Sequence, residues 1–258
     1  MTELIIISIT AFLAAILTFF SGFGLGTILT PVLMIFLPVE LAIALTGIVH
    51  FFNNIFKLLL VGKNADRKVL RLFGIPAVIA AIAGAWILLK ITNLDSLFSY
   101  SLAGHQFFVY PVKFLIAILL IFFALMDLLP YFKKLQFSED KLMFGGILSG
   151  FFGGLSGNQG ALRSAFLIRA GLSKESFIGT AVVISSLVDF TRLGVYATGL
   201  IQTSWTNHLD VVISATLAAI AGAYIGNIML KKVTIDFIQQ LVGILLIVLS
   251  VALGAGWL

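Results

Sequence analysis

Asn54 with Lys57, and Asp189 with Arg192, are two pairs spaced i, i+3, so each pair shares one face of any helix that carries it. Both lie in largely apolar stretches, where a cation is stable only beside a counter-charge or facing water. Arg163 follows Gly160 by less than one helical turn, just past the glycine-rich break SGNQG at Ser156 to Gly160. A guanidinium there fits two oxygens of one anion at once, so the chemistry within reach is the binding of a compact oxyanion. The plainer alternative is that Arg163 pins the break to a carbonyl or carboxylate. Asp189 and Arg192 equally suit mutual neutralisation, and Lys57, five residues before the 62–71 loop, is near enough to snorkel out. If Asp189 faces a cavity it is the candidate for proton coupling. His50, one turn before Asn54, joins it there, against a plain packing role.

The elements that must position these residues are interrupted helices. Apolar segments run 4–20, 26–37, 41–62, 72–90 and 110–130, then 142–155, 160–171, 175–199, 208–230 and 236–257. In each half the first two segments are joined by a glycine-rich break, SGFGLG at Ser21 to Gly26 and SGNQG at Ser156 to Gly160. Segment 26–37 would be about 18 Å long as a helix, too short for an untilted span of a core about 30 Å thick, so a hairpin turning inside the membrane is expected. A helix starting after each break would turn unpaired N–H groups and a positive dipole end towards an anion. The residues expected around it are Ser21, Gly22, Gly24, Gly26 and Thr27 in the first half, with Asn54 and Lys57. From the second half come Ser156, Gly157, Asn158, Gln159, Gly160, Arg163 and Arg192.

Composition sets the class. The chain of 258 residues is 60% hydrophobic and 10% charged, with mean hydropathy +1.15, which defines an all-α polytopic membrane protein. The sequence has no cysteine, which excludes disulfides, thiolate metal sites and thiol relays. His50, His105 and His208 are too far apart to suggest a metal cluster, and no paired carboxylates or activated nucleophile appear, so neither metal, cofactor nor enzyme activity is expected. The net charge of +5 lies in short loops and needs no nucleic acid, since anionic lipid and the orientation rule account for it.

The chain is also duplicated. AAIAGAWI at Ala80 to Ile87 returns as AAIAGAYI at Ala218 to Ile225, with seven of eight residues identical. An offset of 135 then pairs Ser21-Gly22 with Ser156-Gly157, Glu40 with Glu175, Asn54 with Asp189 and Lys57 with Arg192. The expected organisation is a first repeat over 1–130, a basic linker over 131–141 and a second repeat over 142–258, each repeat a re-entrant hairpin followed by three crossings. Three crossings per half invert the second copy. With the 62–71 loop inside, Lys63, Arg67, Lys68, Arg71, Lys133, Lys134, Lys141, Arg169, Lys174, Lys231 and Lys232 are inside, and only Lys90 and Lys113 outside. Both termini are then outside. Hairpins that cross fully would give ten crossings with the same loop sides. Inverted repeats with broken helices are a transporter architecture, with the site where the breaks meet.

The paired breaks SGFGLGT and SGNQGAL, the duplicated helices and the length resemble the TauE/SafE family of sulfite and organosulfonate exporters over nearly the whole chain. The resemblance implies a small sulfur-containing anion as substrate, a bacterial cytoplasmic membrane, and export by alternating access. Two other classes stay open: a selective anion channel using the same helix ends, and a membrane sensor or assembly subunit. Glycine-rich helix faces serve internal packing as readily as contacts between copies, so a homo-oligomer is also open.

Overall fold

The computed structural model describes residues 1–21, 24–92, 94–129, 131, 137–157, 159–200, 205–229 and 235–257. Ten α-helices account for most of them: α1 (Thr2–Ser21), α2 (Gly26–Phe36), α3 (Val39–Val61), α4 (Arg67–Thr92, with a π turn at Leu70–Gly74), α5 (Pro111–Leu128), α6 (Leu142–Ser156), α7 (Gly160–Leu167), α8 (Lys174–Leu200), α9 (Leu209–Met229) and α10 (Ile235–Gly254). Each of the ten apolar segments is one helix. Four stretches are long and apolar enough to cross a membrane, Leu41–Asn64, Arg67–Thr92, Glu175–Ala197 and Thr206–Gly226, and shorter apolar helices accompany them. At ~1.5 Å per residue, the 11 residues of α2 and the 8 of α7 fall well short of a crossing.

Local chemistry sets the helix ends. Asp66 caps α4, its Oδ1 accepting from the Val69 N–H at 2.8 Å. Pro111 opens α5 at the position where its missing N–H is harmless. Gly157 closes α6 in the left-handed region at φ 78°, its N–H donating to the Gly153 carbonyl.

Burial is inverted relative to a soluble protein. Ile5, Ile9, Ile79, Trp86, Phe144, Leu217 and Val248 face outwards, while Arg192 is the largest fully buried side chain. Apolar residues outside and polar ones inside are what hydrocarbon surroundings demand.

Four helix pairs carry the packing: α4 along α6, α1 along α9, α5 along α10 and α3 along α8. Gly146, Gly150 and Gly154 form a four-residue ridge on α6 that admits the α4 backbone. A Cβ at Gly150 would lie 2.0 Å from the Ala77 carbonyl oxygen, and one at Gly154 2.2 Å from that of Ala81. Small residues at this spacing let two helices meet backbone to backbone. The duplicated AAIAGA segments work in the same way. A Cβ at Gly84 would lie 2.0 Å from the Phe151 oxygen on α6, and one at Gly222 2.3 Å from the Phe12 oxygen on α1.

The loop before α5 holds an element that the helical periodicity did not announce. Strands β1 (Phe98–Leu102) and β2 (His105–Val109) pair antiparallel around Ala103 and Gly104, both at positive φ, as a tight hairpin turn requires. Tyr100 donates its hydroxyl to the Ala255 carbonyl at 2.7 Å and accepts from Trp257 Nε1 at 2.8 Å. The hairpin is thereby fastened to the end of α10.

Candidate functional site

Helices α3 and α8 run antiparallel. Val61 meets Gly179 and Gly47 meets Arg192 and Leu193, with His50 and Asn54 touching Asp189 between them. The i, i+4 spacing of His50 and Asn54 puts both on the face turned to α8. Asp189 Oδ2 accepts from His50 Nδ1 at 2.5 Å and from Asn54 Nδ2 at 2.9 Å. Its other oxygen, Oδ1, accepts from Arg192 Nε at 2.9 Å, with Nη2 also 2.9 Å away. A carboxylate only accepts, so the network assigns the hydrogen to His50 Nδ1 and turns Nε2 towards Gly24. The side chains of Asp189 and Arg192 are each 1% exposed, so this is a fully desolvated pair in which every charge has a partner.

Beside this network lies a cavity of about 50 Å³, lined by Thr18, Gly24, His50, Asn54, Lys57, Arg163, Phe177, Ile178, Ala181, Val182 and Ser185. At ~10–15 Å³ per water-sized position it has room for about three to five of them, the size of a small oxyanion. Lys57 and Arg163 are 5% and 6% exposed, and among the described residues no Asp or Glu lines the cavity. Arg163 Nη1 donates to Ser185 Oγ, while its Nε is buried without a hydrogen-bond partner among the described residues. Two cations therefore share one small cavity, whereas the nearby carboxylate is hydrogen-bonded to His50, Asn54 and Arg192.

The expected site residues separate into groups. Gly24, His50, Asn54, Lys57 and Arg163 come together in the cavity. Asp189 and Arg192 stand behind it as an ion pair. Gly26 and Gly157 meet where the two breaks approach, a Cβ on Gly26 lying 3.9 Å from the Gly157 oxygen. Thr27 spends its hydroxyl on the Gly24 carbonyl at 2.7 Å, and Ser156 donates to Phe152 of its own helix at 3.0 Å. Gln159 is buried, and Gly160 begins α7. Gly22 and Asn158 lie outside the described residues, as do Lys133, Lys134, Lys231 and Lys232 of the basic loops and the side chain of Ser21. Ser185 was not anticipated, although it is the counterpart of His50 at the offset of 135 and stands one turn before Asp189. Thr18 and the apolar wall of α8 carried no signal of their own.

Fold and site together define a multi-pass helical membrane protein whose polar groups are gathered inside around a cationic cavity. The family model described as "Sulfite exporter TauE/SafE" matches residues 7–253, and the chain belongs to that family. It is a membrane transporter of sulfur compounds and not an enzyme. Comparison with curated proteins and with solved structures gave no match.

Proposed function

We propose that the chain carries a compact sulfur oxyanion such as sulfite across the bacterial cytoplasmic membrane, in the export direction, by alternating access about the cavity between α3, α7 and α8. The observation that carries this is the meeting of Lys57 and Arg163 at one cavity whose described lining includes no acidic residue. Two cations at one cavity favour an anion, and its described lining offers no carboxylate to receive the ammonium of a zwitterion such as taurine. The small volume favours an inorganic oxyanion over an extended organosulfonate. His50 Nε2 faces the same space from α3, with Asp189 of α8 behind the ring, Lys57 two turns further along α3 and Arg163 contributed by α7. His50 is accordingly the group that would exchange a proton with the anion's side of the site, and Asp189 the one that orients it.

Two inverted half-repeats, 1–130 and 142–258 with both termini outside, supply the moving parts. The reciprocal packing supports them: α1 lies on α9 as α6 lies on α4, and the glycine of each AAIAGA segment meets the first helix of the other half. The helices that follow the breaks, α2 and α7, are each too short to cross untilted and fit hairpins that enter and leave on one side.

The test is flux and pH change in proteoliposomes given sulfite, sulfate, thiosulfate, sulfoacetate and taurine, with the parent protein and Arg163→Gln side by side. Saturable sulfite flux that falls about 100-fold in the variant, in line with losing ~2.7 kcal/mol of charge-assisted binding, is expected. Unsaturable flux that follows the electrochemical gradient would instead assign a channel. Equal flux in both proteins would remove Arg163 from the site.

A further inference from the structure

A second cluster of buried polar groups lies on the other side of the His50–Asp189 contact from the cavity. Because α3 and α8 are antiparallel, Lys57, Ile178 and Val182 fall on one side of that contact, and Thr46, Gly47 and Arg192 on the other. There the Arg192 guanidinium is held between two glycines. A Cβ on Gly157 would lie 2.6 Å from Nη1, and one on Gly47 3.5 Å from Nη2. A Cβ on Gly26 would lie 3.3 Å from Thr46 Cγ2 and 3.9 Å from the Gly157 oxygen, so both hairpin breaks and Thr46 meet at the same place.

Two polar groups here are not satisfied: Thr46 Oγ1 is buried without a hydrogen-bond partner among the described residues, and Arg192 Nη2, though close to Asp189, makes no aligned hydrogen bond. Gln159, two residues beyond Gly157 and packed against Gly153, has its Oε1 buried and likewise unpartnered among the described residues. Buried polar groups without partners are rare and costly, and each calls for a reason. The offset of 135 supplies one, because Arg192, Gln159, Thr46 and Gly47 are the counterparts of Lys57, Gly24, Ala181 and Val182, all of which line the cavity.

We infer that Thr46, Gln159 and Arg192 form a second position for the same oxyanion, occupied when the access state reverses. This rests on the transporter assignment above and adds where the anion goes next. The Thr46 hydroxyl and the Arg192 guanidinium are donors, and the Gln159 amide turns over to present its NH2. A route between the positions is built into α3. Thr46, His50, Asn53 and Lys57, spaced 4, 3 and 4, form one stripe about 16 Å long. Within it Asn53 is fully buried, with both amide atoms unpartnered among the described residues. In this arrangement the Arg192 guanidinium is engaged with Asp189, and the cavity lies on the side of Lys57 and Arg163.

Thr46→Val and Gln159→Leu test this by two readouts on the full chain. Equilibrium binding of sulfite to the purified protein reads the cavity of Lys57 and Arg163, and sulfite flux in proteoliposomes reads the complete cycle. The expected result is binding within about twofold of the parent with flux reduced tenfold or more, and recovery of flux in Thr46→Ser, which keeps the hydroxyl. Unchanged flux in both variants would overturn the second position, as would binding and flux falling in parallel. A parent protein that neither binds nor moves sulfite would sink the transporter's assigned substrate instead, and the two failures are thus distinguishable.

Discussion

The crossing of α3 with α8 is built around polar side chains, and that of α4 with α6 around a ridge of glycines. At the first, polar side chains meet: Asp189 accepts from His50 and Asn54 across the crossing and from Arg192 of its own helix, and a cavity remains beside them. At the second, Gly146, Gly150 and Gly154 bring backbone against backbone, with no space for a Cβ. Charge and glycine are both devices for putting helices together in hydrocarbon, where the hydrophobic effect provides no force between them. The difference is that only the polar crossing can exchange partners. A glycine ridge has one arrangement, whereas a carboxylate with four donors around it has several, and a ligand selects among them. The rigid crossing thus supports the one that must change.

Removing the charge hub is the severest way to break this contrast. Asp189→Asn leaves Arg192 buried without its counter-charge and His50 without its acceptor, and loss of about 3–5 kcal/mol of stability is expected. Thermal unfolding in detergent measures it, and an unchanged midpoint would mean that the network is not what holds α3 to α8. The rigid crossing responds to bulk rather than to charge. Gly150→Val, whose Cβ alone would overlap the Ala77 carbonyl, should cost about 1–3 kcal/mol or more by forcing the helices apart. Intact stability, measured in the same way, would show that α4 and α6 separate freely and that the contrast is misplaced. The mildest change sharpens it at the site itself. Ser185→Ala withdraws the acceptor from Arg163 and should reduce sulfite affinity about three- to tenfold, corresponding to ~1 kcal/mol, with little change in unfolding temperature. A fall in stability without a fall in affinity would make Ser185 and Arg163 part of the scaffold.

Much of the fold was legible because membrane helices are encoded by long apolar runs, and their interruption by glycine and proline is just as local. All ten segments were placed within a few residues, except that α7 ends at Leu167 where the apolar run suggested continuation to 171. The β-hairpin of Phe98–Leu102 and His105–Val109 escaped notice because its turn, Ala103-Gly104, places an alanine at φ 52° where asparagine or glycine is the usual signal. For the site, residue type and spacing pointed to His50, Asn54, Lys57 and Arg163, since a polar group in an apolar run must have a purpose. Thr27 read equally well as a donor, yet its hydroxyl closes its own turn on Gly24. A threonine after a glycine break looks the same in either role.

The sequence by itself determined the class of protein, the positions of its helices and the helix faces on which its charges stand. Each of these follows from composition or short-range periodicity. Only the tertiary structure decided which of those charges meet. Arg163 comes to the same cavity as Lys57, and Asp189 pairs with a histidine 139 residues away as well as with its neighbour Arg192. Helical spacing says which residues share a face, but which face lies opposite is fixed by how closely two backbones approach. In this chain that distance is set by glycines both at the α3–α8 crossing, Gly47 and Gly179, and on α6, so the pairing of charges is a property of the whole bundle.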